Sequence, residues 1–504
     1  MNRQFTAIIV TIFGLLGAIW ISLSIASNAN PLSGTARYFI IVGVALGVLA
    51  PRAAMYLLIF CCAYLDLYKR LLVFGGGFGG MDLIYILGTA PMIVMGMVVA
   101  YVFSVVTGKT TINKVQVLLV LIFVMIVGTV MAYAYKEGLG VVGSLQAVAN
   151  SASYSALLFL VPAFFPGREQ FLRLLGTASM IFLPVALYGI YQGIFGLANW
   201  EERYLTSGYT IMVKELYDVR PRPFSTLNSS HSLAVTSALF TAVCLIPWFV
   251  KVKNSGMPYG RGKGLAFSLV YLGGLIAALN RSSWVLLASI LVLRRVFVNV
   301  WRTVIFIVIS VSIFLFVCFK ATYMLEHIAE WDSKIEKRGA FQTQAFRIQT
   351  FSDRLYGFRN LVTSSRMWTP FGVAKDDRTK TGGEVMSHDL IGSTLLAVGY
   401  VPLFFGLAFG LIGVLWLQAK ILSVPDDTDR EVSILLYGIV MCILGNSMLF
   451  GNHLVVFPLN TFFFMLAGGI FSIAFRKSEA EEPVRASAES GAAGLELAGM
   501  PVGR

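Results

Sequence analysis

The sequence predicts an all-α polytopic membrane protein of about fourteen transmembrane helices, with a large, partly helical loop between late spans. Three observations predict it. Of 504 residues, 57% are hydrophobic and only 13% are charged, and the mean hydropathy is +0.77, a balance that does not fit a soluble globule. Apolar runs long enough to cross ~30 Å of hydrocarbon with ~20 helical residues recur along the chain. One polar stretch, Lys320 to Leu390, interrupts them.

In order, the candidate spans are Ala7–Ala26, Ala36–Ala50, Ala53–Leu67, Leu83–Val106, Val115–Tyr135, Leu145–Phe165 and Leu174–Phe195. Then follow Leu233–Val250, Gly264–Asn280, Ser282–Leu293, Thr303–Phe319, Leu395–Leu417, Ile434–Leu449 and Val455–Phe475. The first follows a single Arg3 and is longer than the usual apolar region of a signal peptide, so it reads as a retained span; Ser27-Asn28-Ala29 leaves cleavage open. The pair around Pro51-Arg52 is short. The run Gly75-Gly76-Gly77-Phe78-Gly79-Gly80 matches no nucleotide-binding fingerprint and reads as a flexible turn.

Loop charges set the orientation. With a cytoplasmic N-terminus, the inner connections hold Lys109/Lys114, Arg168/Arg173, Lys251/Lys253/Arg261/Lys263, Arg294/Arg295/Arg302 and Arg476/Lys477. Short loops rich in Lys and Arg belong on the inner side. The chain then divides into N-terminal helices (1–197), a first long outer loop (198–230) and helices with an arginine hairpin (231–319). A large outer loop (320–394), C-terminal helices (395–475) and a disordered cytoplasmic tail (476–504) complete it. The net charge of +13 is spread over many loops, so it reports membrane orientation and not nucleic-acid binding. All five cysteines lie in apolar runs without zinc-ligand spacing, which leaves them a packing role. No internal repeat of the inverted-repeat transporter kind is visible.

Arg281 stands out among the polar residues, interrupting the apolar run Ala277-Ala278-Leu279-Asn280-Arg281-Ser282-Ser283-Trp284. Only twelve residues separate it from Arg294-Arg295; their helix reaches ~18 Å, short of the hydrocarbon core. Arg281 is therefore expected below the outer headgroups, at the floor of a cavity, where charge is costly and marks function. The plainer reading is an arginine snorkelling from a helix end beside Trp284. In Arg220-Pro-Arg222-Pro-Phe224, prolines restrict the backbone around two guanidinium groups, which bind phosphate oxygens bidentately. Charges beside a turn are the alternative, and His231 reads as a helix-start residue.

In the large loop, Arg347 and Arg354 are seven residues apart, with Phe351 and Phe358 nearby. If 345–361 is helical they form one aromatic and basic face, either aimed at a diphosphate or simply resting on the bilayer. His388, followed by Asp389, falls just above the hydrocarbon when the next span is counted back from Lys420 to Tyr400. An imidazole of pKa ~6.5 there is suited to take a proton from an attacking hydroxyl. His327 and His453 read as structural, and no outer carboxylate grouping suits a metal.

These pieces together resemble the bacterial O-antigen ligase and polysaccharide polymerase superfamily, integral membrane glycosyltransferases with a large outer loop between late spans. The family signature is His, then Asn, Ser or Gln, nine residues, Gly, two residues, and Gly, Thr or Tyr. Here it reads His388-Asp389, nine residues, Gly399-Tyr400-Val401-Pro402, with Asp389 and Pro402 departing from the pattern. Arg354-Leu-Tyr-Gly-Phe358 and Pro370-Phe371-Gly372-Val373-Ala374 resemble the loop core; Asn280-Arg281-Ser282 and Arg222-Pro-Phe224 with Asn228 resemble the family's other arginine motifs. The similarity covers roughly Arg220 to Leu417.

The resemblance implies a GT-C-like protein of the bacterial inner membrane, with both termini cytoplasmic and a periplasmic site. It implies an inverting transfer from an undecaprenyl-pyrophosphate-linked saccharide, without nucleotide sugar, cofactor or metal. Arg281, Arg222, Arg354, Arg347 and Arg220 would face the pyrophosphate, His388 would serve the acceptor hydroxyl, and Asp389 would support His388 or cap the next helix. Partners would be the lipid-linked donor, a glycan acceptor, membrane lipids, chain-length regulators and export proteins. A polymerase of exopolysaccharide or O-antigen is the first expectation, a ligase transferring to lipid A-core the second, and a lipid-linked saccharide flippase the third.

Overall fold

In hydrocarbon only a helix satisfies all its backbone groups within one segment, so a chain this apolar is expected to be helical. A computed structural model describes residues 12, 15, 17, 19, 22, 35–74, 79–110, 112–207, 216–217, 220–250, 256–335, 349–373, 390–451, 454 and 456–475. It is a helical bundle. In chain order the helices are α1 (Thr35–Leu49), α2 (Pro51–Phe74), α3 (Gly80–Val106), α4 (Lys114–Lys136), α5 (Gly140–Ala147) and α6 (Leu157–Phe164). Next come α7 (Arg168–Phe195), α8 (Asn199–Thr206), α9 (Ser230–Cys244), α10 (Arg261–Ala278), α11 (Arg281–Leu293) and α12 (Val300–Ile335). The last are α13 (Gln349–Thr363), α14 (Leu390–Val398), α15 (Tyr400–Leu422), α16 (Asp427–Phe450) and α17 (Leu459–Ala474). The extended residues are a two-residue antiparallel pairing, Leu216 with Pro221 and Tyr217 with Arg220.

Among the described residues, eight helical segments are long and apolar enough to cross a membrane, and three shorter apolar helices (α1, α11 and α17) accompany them. The protein is thus a multi-pass helical membrane protein. Large side chains on α4 and α15 point outward, such as Val124 (56% exposed), Phe404 (69%) and Phe409 (70%). In a bilayer these faces meet lipid tails, which are as apolar as the side chains themselves.

Alternate connections gather at opposite ends. At one end Arg52 Nε donates to Phe164 O (2.8 Å), and Arg168 binds Asp426 (3.3 Å) and Asp429 (2.7 Å). At the other, Asn228 Nδ2 donates to Phe457 O (3.3 Å), and Asn280 Nδ2 meets His231 Nδ1 (2.7 Å). The main core runs between these ends through Met55, Phe159, Phe171, Phe182, Phe240 and Phe462. A second, separate core joins the far part of α12 to α13 and α14 through Cys318, Leu355, Phe358, Leu361, Met367 and Leu395.

Four segments differ from the sequence reading. Beyond the Ala53–Leu67 estimate, α2 runs on to Phe74, because Asp66, Lys69 and Arg70 find partners inside the protein. The 145–165 span is not one α-helix; a π segment (Val148–Ala152) and a 3₁₀ turn (Ser153–Ala156) lie between α5 and α6. The stretch expected to begin a polar loop at Lys320 continues α12 to Ile335. The 395–417 span breaks at Gly399, whose φ is +89°. Of the first candidate span, only Ile12, Leu15, Gly17, Ile19 and Ser22 are described, and all are helical.

Candidate functional site

The α10–α11 hairpin is closed by two residues. Leu279 adopts a left-handed conformation (φ +47°), and Asn280 caps α11, its Oδ1 accepting from Ser282 N (3.1 Å) and Ser282 Oγ (2.6 Å). Arg281 is therefore the first residue of α11, exposed at the bundle end. A polar side chain from each neighbour fixes the turn: His231, in the first turn of α9, meets Asn280, and Asn446 Nδ2 of α16 donates to Ser282 O (2.9 Å). Ser229 caps α9, accepting from Ser232 N at 3.1 Å. Two helix N-termini thus lie at the same place, each the partially positive end of its helix.

The turn before α9, which carries Arg222, runs beside this hairpin, for Pro223 and Ala277 both lie close to Gly193 of α7. This turn too contains a left-handed residue, Ser225 (φ +56°). Among the described residues, Ser225 and Leu279 are the two non-glycine positions with positive φ, and they flank the two arginines. Such conformations cost ~1–3 kcal/mol and persist where surrounding contacts over-determine them.

Those contacts are buried and polar. Gln192 Oε1, near the end of α7, accepts from Phe224 N (3.1 Å) and Ser225 N (2.6 Å). Ser225 Oγ donates to Val185 O (2.5 Å) and Thr226 Oγ1 to Ala63 O (2.6 Å). Arg70 of α2 donates from Nη1 to Ser225 O and from Nη2 to Leu227 O, both 2.6 Å, and lies 4.5 Å from the centre of the Phe224 ring. Its counter-ion is Glu201 of α8 at 3.4 Å, with the two side chains 1% and 0% exposed. Burial pushes the Glu201 carboxyl above its ordinary range, while the Ala198 N–H, Arg70 and Gln192 act in the opposite direction. Gly193, next to Gln192, lets α7 pass between both turns; a Cβ there would lie 3.0 Å from Ala277 Cβ and 3.7 Å from Pro223 Cγ.

Two segments of the second connection interlock by backbone. Val373 N donates to Leu396 O (2.9 Å), Tyr400 N to Thr369 O (3.1 Å) and Val401 N to Pro370 O (3.2 Å). Gly372 (φ +79°) and Gly399 form the contact; a Cβ on Gly372 would sit 2.5 Å from Ala397 O, and one on Gly399 would run into the Pro370 carbonyl. Lys136 Nζ, at the end of α4, donates to Phe371 O and ties this turn to the bundle.

The residues singled out from sequence fall into three groups. Arg222 and Arg281 lie on adjoining turns. Arg354 lies on α13, within the helix expected there, although its side chain is outside the described residues, as is that of Arg220. Phe358 of that helix turns into the second core against Phe314 (5.4 Å between ring centres), not onto a bilayer surface, which corrects the expected aromatic and basic face. Arg347, His388, Asp389 and His453 lie outside the described residues. His327 bonds to Tyr323 O (2.9 Å) on its own helix, and all five cysteines are buried and free. No group of three or more His, Cys, Asp or Glu is placed to hold a metal ion among the described residues. Arg70, Gln192 and Glu201 were missed, although a charge at the end of an apolar run was a signal for Arg70.

Fold and site together define a multi-pass helical membrane protein with two arginine-bearing turns beside two helix N-termini at one end of its bundle. No family model, no curated protein and no solved structure matches the chain. The functional reading therefore rests on the residues themselves.

Proposed function

We propose that this protein is a glycosyltransferase that takes saccharide from undecaprenyl pyrophosphate at the outer face of the inner membrane and extends a surface polysaccharide. The carrying observation is that the turns bearing Arg222 and Arg281 meet beside the N-termini of α9 and α11, with Pro223 and Ala277 both close to Gly193 and His231 bonded to Asn280. Two guanidinium groups presented from adjoining turns can offer a diphosphate bidentate bonds at the positive ends of two helices. A pair of unit charges 4 Å apart is worth ~4 kcal/mol at an effective dielectric of 20. The interlocked glycine turns support the same reading, because the two loop pieces of the family resemblance are neighbours in space.

In the proposed reaction the acceptor hydroxyl attacks the anomeric carbon and gives its proton to the His388 imidazole. The carbon–oxygen bond to phosphate breaks with inversion, and undecaprenyl pyrophosphate leaves with the electron pair. Arg222 and Arg281, joined by Arg354, Arg347 and Arg220, stabilise the charge that develops on that leaving group. Asp389 supports the imidazole. The acceptor is another lipid-linked repeat unit in a polymerase and lipid A-core in a ligase.

The test is a glycan assay with purified protein, lipid-linked oligosaccharide and each acceptor. Longer lipid-linked glycans are expected from the wild type. His388→Ala should lower the rate ~10²–10⁴-fold with donor binding intact. Arg281→Lys should weaken donor binding about tenfold, since an ammonium cannot reproduce the guanidinium fork. Transfer only to lipid A-core would reassign the acceptor, and a chain that moves lipid-linked sugar without covalent change would overturn the proposal.

A further inference from the structure

We infer that Gln192, Glu201 and Arg70 are positioning residues for diphosphate recognition: a buried clamp that holds Arg222 at the anion site without touching the ligand. This rests on the donor reading above and deepens it. Arg222 sits in a turn before α9 that has no regular secondary structure of its own, so something else must fix it. The turn's inward-facing backbone groups are taken up by side chains from distant elements. Phe224 N and Ser225 N donate to Gln192 Oε1; Ser225 O and Leu227 O accept from Arg70.

The same clamp closes on itself through a carboxylate. Gln192 Nε2 donates to Glu201 Oε1 (2.7 Å), and Arg70 Nη1 reaches that same oxygen at 3.4 Å. Glu201 therefore fixes which way the Gln192 amide faces, so that its oxygen, and not its nitrogen, meets the two backbone amides. An amide turned the other way would place donors against donors. The loop is thus held by a chain of orientation: carboxylate sets glutamine, glutamine and arginine set backbone, backbone sets Arg222. A buried polar network of this kind favours one arrangement only when every member is satisfied. The left-handed Ser225 lies at its centre, in a conformation that the clamp over-determines.

Preorganisation matters here because the ligand must be met by two like charges. Without the clamp, Arg222 can swing away from Arg281, and binding must then first bring it back. The effect should appear as lost affinity for diphosphate and not merely as lost stability.

The experiment uses the full chain in detergent. Gln192→Met keeps the volume and removes both halves of the amide; Glu201→Gln, a second and milder variant, removes the orienting charge. Gln418→Leu is the control, since Gln418 is equally buried but serves Phe297 O (2.9 Å) and Thr303 Oγ1 (2.8 Å) elsewhere. Undecaprenyl diphosphate and undecaprenol are titrated against each, and hydrogen exchange is followed in peptides covering 222–228 and 233–244. Gln192→Met is expected to raise exchange in 222–228 with 233–244 still protected, and to weaken diphosphate binding about tenfold. Undecaprenol binding should be unchanged, and Gln418→Leu should bind both as the wild type does. Unaltered exchange in 222–228, or raised exchange with wild-type diphosphate affinity in both clamp variants, would overturn the clamp. A wild type that binds undecaprenol and its diphosphate equally would sink the donor reading instead, and the exchange arm would still decide whether Gln192 holds the turn.

Discussion

The two connections at the Arg281 end of the bundle are held in opposite ways. The first, carrying Arg222, has its backbone pinned by Arg70, Gln192 and Thr226 into the main core, with an ion pair completely out of solvent. The second carries its own small apolar core between α12, α13 and α14 and meets itself through two glycines. It meets the bundle through Lys136 at the surface and through α14, which packs against α16. The difference teaches where precision is spent. The first turn is locked by directional bonds from side chains of distant elements; the second relies on apolar packing and a close backbone contact at two glycines. On the proposed function the first connection shapes the diphosphate site.

The largest effect that can break this comparison is loss of Arg70. Arg70→Met should strand the Glu201 carboxylate and free two carbonyls, costing ~3–5 kcal/mol. Thermal unfolding in detergent should show a marked drop in midpoint, and the double variant Arg70→Met with Glu201→Gln should recover part of it, because the stranded charge is gone. A single variant as stable as the wild type would mean the ion pair does not hold the first connection. Gly399→Ala should come next. Its backbone, at φ +89° and ψ 175°, lies in a region essentially reserved for glycine and costs ~1–3 kcal/mol for a residue with a Cβ, and the added atom meets the Pro370 carbonyl. The expected outcome is selective: faster proteolysis of 349–373, with the α7 and α9 segments as resistant as before. If the whole bundle loosened together, the two connections would not be separately held.

Much of this architecture was legible in the sequence, and the reasons for the rest are physical. Hydropathy located the long helices, because the bilayer imposes length and apolarity on every span. Asn280 and Arg281 were readable as a break because they interrupt an apolar run, and α11 does begin there. The pairing of Arg70 with Glu201 was not, since the partners are 131 positions apart and no local pattern announces the contact. Gly399 hid inside an apolar run that continues on both sides, so composition gave no sign of the break. Phe358 was misplaced for a related reason: periodicity shows that a helix has an apolar face but not whether lipid or another helix covers it.

The smallest effect belongs to the join between the two regions. Lys136 ends α4, a helix whose flank is largely exposed apolar surface, and its ammonium reaches the Phe371 carbonyl within the glycine turn. Being exposed, the bond competes with water, so its net worth is ~1 kcal/mol or less. Lys136→Met keeps the aliphatic stem and removes only the donor. The midpoint of thermal unfolding should scarcely move, because both cores are intact. Exchange of the Phe371 to Val373 amides should rise a few-fold, as the turn loses its tie to α4 but keeps the Val373–Leu396 bond. A large fall in stability would show the second connection leaning on the bundle far more than its separate core implies. No change in exchange would show that the glycine interlock alone holds the turn, and the contrast with the clamped first connection would then be sharper still.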